Sequence, residues 1–498
     1  MERNQLSIPI RYTPVLTLLV AAGCSFAPDP QVPQPVADLP ESFLESEAVG
    51  DYVPLEWWRD FEDPALDALI DSALVANLDL VEAVARVEQA RAQSGIAWAD
   101  LFPQIQAGAD GSTNSQPSNT GIGGAISGGP GDSVPAFARP DRFEFTTYSA
   151  SLGFSWELDF WGRARNDGRA AAADLMASRA DLDAARLGVL SETVSTYFQI
   201  ADLRERVELT RETVGVLEER EALTVTRYDR GLVTSLELYQ VRLDLRTTQA
   251  GLPQIETQLA DAEGRMAVLL GRYAGRIGGL LGEDLDPTPV FQPIETGLPA
   301  DLLLQRPDVR AAAERLQAAR FRIGARKAQL LPRLSLSGSV GQQSDDVGGL
   351  FDAGQWFTNL VGGITAPLFQ GGRLRGNVKV AEAQYAQFAA AFGHTVLTAV
   401  YEVEISLRRY DEERERYGFL TSQQEEAQAS ADLQSRRYSA GVAGYTDYLD
   451  ALRTLLGVQS TLSAAGTDLA LARLGVHRAL GGGWTEDDSQ PGLGEATR

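Results

Sequence analysis

Carboxylates set close together are the first chemistry this sequence offers. Asp447 and Asp450 stand three residues apart just after Gly441, a spacing that puts both on one helical face and concentrates negative charge there. Glu157 and Asp159 are two apart in a strand-like run, so they share a face in the manner of an acid-base pair. Around them the ingredients of catalysis are missing: the chain has no GxxxxGK[ST] phosphate loop, no HExxH and no GxSxG. His394 and His477 are the only histidines, sit singly in helical tracts and read as ordinary helix residues, leaving few options for zinc. One cysteine, Cys24, cannot build an internal disulfide framework. With 44 basic and 68 acidic residues the net charge is −24, which argues against a nucleic-acid binder. No enzyme and no metal or organic cofactor is expected.

The elements that must position these residues are long. A length of 498 residues implies about three domains at ~150 residues each, yet aromatics are few and alanine, leucine and arginine fill long proline-free tracts. Asp63-Pro64 makes a helix N-cap and first residue, opening a helical segment toward Ala99. From Tyr148 to Phe160 alternate positions are apolar (Tyr148, Ala150, Leu152, Phe154, Trp156, Leu158, Phe160) and polar or small (Ser149, Ser151, Gly153, Ser155, Glu157, Asp159), the period of a strand. Weaker counterparts run over Arg333–Gly341 and Phe357–Phe369, giving two strands per repeat and four in all. The tracts Gly162–Tyr228 and Arg375–Tyr438 lack proline and at 1.5 Å per residue each reaches roughly 100 Å as a helix. Leu187, Leu190, Val194 and Tyr197; Leu203, Val207, Thr210, Val214 and Leu217; and Val396, Val400, Val403, Leu407 and Tyr410 step by three and four, a coiled-coil seam. Gly231 and Gly441 then mark left-handed turns from which a second helix returns.

The chain reads as one unit written twice. Residues 227–250 align with 437–460 at an offset of 210, which also superposes Gly162-Arg163 on Gly372-Arg373. Leu101-Phe102-Pro103 pairs with Leu330-Leu331-Pro332 at 229, so repeat one carries a 229 − 210 = 19 residue insertion, assigned by composition to a loop over about Gly108–Pro135. The expected boundaries are a signal peptide at 1–23, an extended leader at 24–60, repeat one at 61–275 with a β-hairpin at about 103–160, a linker at 276–300, repeat two at 301–484 with a hairpin at about 332–369, and a disordered tail at 485–498. Arg3 and Arg11 before the apolar run Val15–Ala22 fit a cleaved export signal. Ala21-Ala22-Gly23-Cys24 resembles the lipobox of bacterial lipoproteins, in which Cys24 carries a covalent lipid; Ser25 after it favours the outer membrane. The alternative is an ordinary signal peptide followed by a free thiol.

Strands with one greasy and one wet face suit an outer-membrane barrel, because a bilayer-spanning sheet must close to satisfy its backbone. Four strands cannot close one, and single-chain barrels need about eight, so this chain must share a barrel with copies of itself in a cyclic oligomer. The alternative is a soluble sandwich beside helices.

Four motifs carry a family resemblance: Trp57-Trp58-Arg59-Asp60-Phe61 with Asp63-Pro64; Trp156-Glu157-Leu158-Asp159-Phe160-Trp161-Gly162-Arg163; Arg306-Pro307-Asp308-Val309-Arg310-Ala311-Ala312; and Pro367-Leu368-Phe369-Gln370-Gly371-Gly372-Arg373. Together they resemble the outer-membrane factor family, nearest its lipoprotein branch serving resistance-nodulation-division (RND) efflux pumps. The resemblance implies an α+β membrane protein: a homotrimer whose twelve strands form one outer-membrane β-barrel, continued by a long α-helical coiled-coil barrel in the periplasm. It implies a periplasmic adaptor and an inner-membrane RND transporter as partners, passive export of their substrates, and contact with outer-membrane lipid. Glu157 and Asp159 then become polar lumen residues. Asp447 and Asp450, with Tyr438, become an aperture ring at the periplasmic tip; Tyr228 and Glu237 match Tyr438 and Asp447 in repeat one, while Gln240 leaves no acid opposite Asp450. The turns Gly231-Leu232 and Gly441-Val442 become the adaptor-docking tips. The basic residue that the family sets against these acids has no counterpart after Gly441, where Ala443 and Gly444 follow. Solvated turn acids, a type I secretion channel and a periplasmic scaffold are the competing readings.

Overall fold

Why the chain breaks where it does is visible at its first helices. In the computed structural model, which describes residues 26–29, 56–117, 142–273, 281, 285 and 306–482, the Asp63 carboxylate accepts from the Ala65 and Leu66 amides at 2.9 and 3.3 Å and caps helix α1, Pro64–Ala76. The signal peptide, Cys24, most of the leader, the linker 276–300 apart from Leu281 and Leu285, and the tail 485–498 lie outside the described residues. The single helix expected up to Ala99 is two. Asn77 is extended, its side-chain oxygen accepts from the Asp79 and Leu80 amides, and its Nδ2 donates to the Leu269 carbonyl at 3.0 Å, so it ends α1 and starts α2, Leu78–Ala99.

Strands β1 (Gln104–Pro117), β2 (Arg142–Leu158), β3 (Arg333–Ser344) and β4 (Trp356–Thr365) form one antiparallel sheet in the order β1-β2-β3-β4. The four-strand count holds among the described residues; of the loop assigned to about Gly108–Pro135, residues 108–117 are strand instead, and 118–135 lie outside the described residues. Residues 108–117 are strand, paired one for one with β2 from Gly108↔Ser151 to Pro117↔Arg142. Small and polar residues give this stretch little strand preference of its own, and pairing with an apolar neighbour overrides that. In the same way β2 starts six residues before Tyr148, and β4 ends at Thr365, ahead of Pro367.

Register gathers the alternation of single strands into a surface. Leu158, Trp156, Phe154, Leu152 and Ala150 of β2 pair with Leu334, Leu336, Gly338, Val340 and Gln342 of β3. Those in turn pair with Ile364, Gly362, Leu360, Thr358 and Trp356 of β4, while Ile105, Ala107 and Ala109 of β1 flank the other side of β2. One face is thus mainly apolar across all four strands, interrupted by Gln342 and Thr358, and the other is mainly polar, with Gln104, Gln106, Ser149, Ser151, Ser155, Ser335, Ser337, Ser339 and Asn359, interrupted on β4 by Phe357 and Val361. On the apolar face Ile105, Leu152, Leu360 and Ile364 are each more than half exposed.

The helices are α3 (Arg163–Asp229), α4 (Ser235–Leu269), α5 (Pro307–Ala328), α6 (Arg373–Ser439) and α7 (Tyr445–Ala479). Helices α3 and α6 have 67 residues each and start 373 − 163 = 210 positions apart; α4 and α7 have 35 each and start 445 − 235 = 210 apart. Among the described residues no helix is long and apolar enough to cross a membrane.

Two compact units result. The first holds the sheet and the adjoining helix ends. There Asp159 accepts from the Ala164 and Arg165 amides at 3.0 and 2.9 Å and from Arg165 Nε, while Glu157 pairs with Arg163 Nε at 3.1 Å. Asp159 therefore caps the start of α3, and both acids bind its arginines rather than standing poised as an acid-base pair. The second unit buries most of the seam residues expected on α3 and α6, including Leu190, Val194, Leu217, Val396 and Val403. Its core joins Trp57, Trp58 and Phe61 to α1, α3, α4 and α7. Arg306, buried, is held by Asp308, Glu402 and the Ala479 carbonyl.

His394 is exposed, but His477 is buried and stacks on Trp57, centroids 4.9 Å apart. Burial, with Arg473 nearby, lowers its pKa from 6.5 to about 3. Below pH 6.5 the unfolded chain takes up a proton that the folded chain refuses, so stability is full above that pH and falls as pH drops toward 3. At pH 5 the expected loss is about 2 kcal/mol. His477→Phe keeps the stack and should flatten the pH 5–7 dependence of the melting temperature; an unchanged dependence would contradict this assignment.

Candidate functional site: the helix reversals

Both reversals are built alike. Gly231 (φ +69°) and Gly441 (φ +72°) are left-handed, their amides donate to the Tyr228 and Tyr438 carbonyls, and the Leu232 and Val442 amides donate to the Arg227 and Arg437 carbonyls. This closes the ends of α3 and α6 without side chains and leaves Leu232 and Val442 about two-thirds exposed. The returning helices are then capped differently. Thr234 Oγ1 accepts from the Glu237 amide at 3.4 Å, whereas at the second turn Asp447 Oδ2 accepts from the Gly444 amide at 3.0 Å. Asp447 is thereby fixed in the first turn of α7, where the helix N-terminus favours negative charge.

Asp450 lies one turn further on and meets a cation that does not flank Gly441 in the chain: Arg220 Nη1, from α3, is 2.5 Å from its Oδ1. Beside them the Tyr445 hydroxyl donates to Glu219 at 2.6 Å, and Arg227 Nη1 donates to Thr446 Oγ1 at 3.4 Å. Arg453 of α7 reaches Asp244 of α4 at 3.0 Å. The bond to Glu219, reinforced by partial burial, pushes the Tyr445 phenol up to about 12, so it is a neutral donor at any ordinary pH. Tyr438, Tyr445 and Tyr448 pack together, with centroids 4.7 to 6.4 Å apart. Asp450 and Tyr438 are thus brought into one cluster around α7, with Asp447 capping its start. Tyr228 and Glu237 belong to the other reversal, where Gln240 provides no matching acid.

Arg220 precedes Gly231 by eleven residues and Asp450 follows Gly441 by nine. When two reversals lie level, residues at similar distances before one and after the other face each other, and a search for a cation on that basis finds Arg220. A search confined to the flanks of Gly441 cannot. Among the described residues no cluster could hold a metal ion.

Comparison with known proteins matches residues 69–272 and 298–482 to the family model described as outer membrane efflux protein. The chain is 31% identical to the pyoverdine export outer membrane protein OpmQ of Pseudomonas putida, over 86% of this chain and 88% of that one. It is 30% identical to the probable outer membrane lipoprotein SilC of Salmonella typhimurium, over 95% and 98%. Among solved structures, the Campylobacter jejuni CmeC outer membrane channel superposes with a TM-score of 0.81 at 25% identity, covering 93% of this chain and 95% of that one.

Because Asp450 is half exposed, the pair with Arg220 should couple by about 0.5–1 kcal/mol at low salt. A double-mutant cycle of Arg220→Ala and Asp450→Ala, read by thermal unfolding, should give that value and lose most of it at 1 M salt. Additive effects would contradict the pairing.

Proposed function

The chain belongs to the outer membrane efflux protein family and is the outer-membrane channel of an efflux system, and from that premise we propose that three copies build one duct which the Arg220–Asp450 pair helps to hold shut. The apolar sheet face carries the reading. From Leu158 to Tyr148 it runs eleven residues along β2, and ten steps of ~3.3 Å at a strand tilt of ~40° cover roughly 25 Å, the height of an outer-membrane apolar band. Strands β1 and β4 are edges, and three successive antiparallel pairings make them antiparallel to each other. The β4 of one copy can therefore pair with the β1 of the next in the ladder the sheet already uses, and 3 × 4 strands close a barrel of twelve.

In this reading repeat one (61–275) and repeat two (301–484) are duplicated units, each contributing a β-hairpin and a long helix pair. The pairs α3–α4 and α6–α7 supply the periplasmic wall, and Cys24 carries the lipid anchor. Leu232 and Val442, exposed on their turns, are where a periplasmic adaptor engages, coupled to an inner-membrane RND transporter. Conduction is passive. Opening repacks α3 against α7, so Asp450 leaves Arg220 and joins Asp447 in lining the aperture with up to six carboxylates, which favour cations.

Planar-bilayer recording tests this. Arg220→Ala should raise single-channel conductance several-fold and keep or strengthen cation preference, whereas Asp447→Ala with Asp450→Ala should raise conductance and weaken that preference. Wild-type conductance in both variants would remove the latch, and unchanged selectivity in the second would remove the carboxylate ring.

A further inference from the structure

A short piece of the leader is locked onto α5. Arg320 Nε donates to the Pro28 carbonyl at 2.5 Å. One turn on, Gly324 leaves no room for a side chain: a Cβ there would come within 2.8 Å of the Ala27 amide nitrogen and 3.0 Å of Asn166 Nδ2. Asn166 is itself buried and fixed, donating to the Gly162 carbonyl at 2.7 Å. The glycine is helical, not left-handed, so the constraint is purely one of space, and what fills the space is leader backbone. The Phe321 ring beside the seat is covered by Arg169 and Arg320 at 5.9 and 5.5 Å, which stiffens the arginine that grips Pro28.

We infer that Gly324, Arg320 and Asn166 form a seat for residues 26–28, and that the seat sets where the acylated Cys24 enters the membrane. The inference rests on the reading of Cys24 as the lipid anchor. Three residues of chain separate Cys24 from Ala27, a tether of at most ~11 Å. Gly324 is four residues from the end of α5, and β3 begins at Arg333, so the seat lies within roughly 24 Å of the strand base. A lipid attached there meets the leaflet at the foot of the barrel, and the anchor and strands of one chain enter the bilayer side by side. A freely swinging leader would place its lipid anywhere within reach. The seat is therefore a positioning site: it binds the chain's own post-cysteine peptide and takes no part in conduction.

The full-length protein in its membrane provides the test, using Gly324→Leu, which fills the space, and Arg320→Gln, which removes the bond to Pro28 with little change in volume. Palmitate labelling reports the lipid, chymotrypsin cleavage after Phe26 reports the seat, and the fraction migrating as a heat-sensitive oligomer reports assembly. Each variant should keep full labelling, be cleaved at least several-fold faster and assemble several-fold less, and neither should lower assembly further when combined with Cys24→Ser. Unchanged cleavage in both variants would overturn the seat. Faster cleavage with an assembly loss that is equally large on the Cys24→Ser background would overturn the positioning role and leave a merely structural contact. Absence of label on the wild-type chain would overturn the lipid reading and the positioning role with it, whereas protection of the Phe26 bond is measured independently of it.

Discussion

A backbone amide or carbonyl in hydrocarbon must find its partner within protein, and each failure costs several kcal/mol. The sheet of this chain meets that demand along three interfaces and fails along two, the outer edges of β1 and β4. Its apolar face extends to both edges, Ile105 on one and Leu360 and Ile364 on the other, so lipid cannot be kept away from them by the chain's own fold. In the proposed assembly, copies of the same chain supply the missing partners without a new kind of pairing, since an even number of antiparallel strands leaves its edges complementary. The proposed trimer, duplicated hairpins and shared duct follow from that one requirement.

As the wall of the proposed duct the helices would face the opposite demand, because such a wall must also move. Buried seam residues such as Leu190, Val194, Leu217, Val396 and Val403 give α3 and α6 a firm core. Near the reversals the contacts turn polar and partly exposed: Arg220 with Asp450, Tyr445 with Glu219, Arg453 with Asp244. Each is individually weak. Weak polar contacts can be exchanged for a partner's at little cost, whereas separating a buried apolar seam cannot, so the change of packing is expected where the core gives way to ion pairs.

Much of this was legible in the sequence because period and punctuation are local. The alternation from Tyr148 onward, the heptad steps through Leu190 and Val403, and the glycines at 231 and 441 each encode their structure within a few residues. Three features were not local. The strand through Gly108 and Asn114 has a loop's composition and exists because β2 pairs with it. Asn77 looks like one polar residue in a helical run until its amide is seen reaching Leu269. Arg220 lies 230 positions from Asp450, and only the folded alignment of two reversals brings them together. The motifs carry the family resemblance, whereas Arg220, Tyr445 and Gly324 take their meaning from contacts made far along the chain.

The count of chains in the closed sheet bears most directly on the account. Native mass spectrometry of the protein released from outer membranes in mild detergent should give three chains, with no folded monomer surviving once the assembly is dissociated. A monomer or dimer that retained both its strands and channel conductance would contradict it, because its sheet edges would then be satisfied without a neighbouring copy.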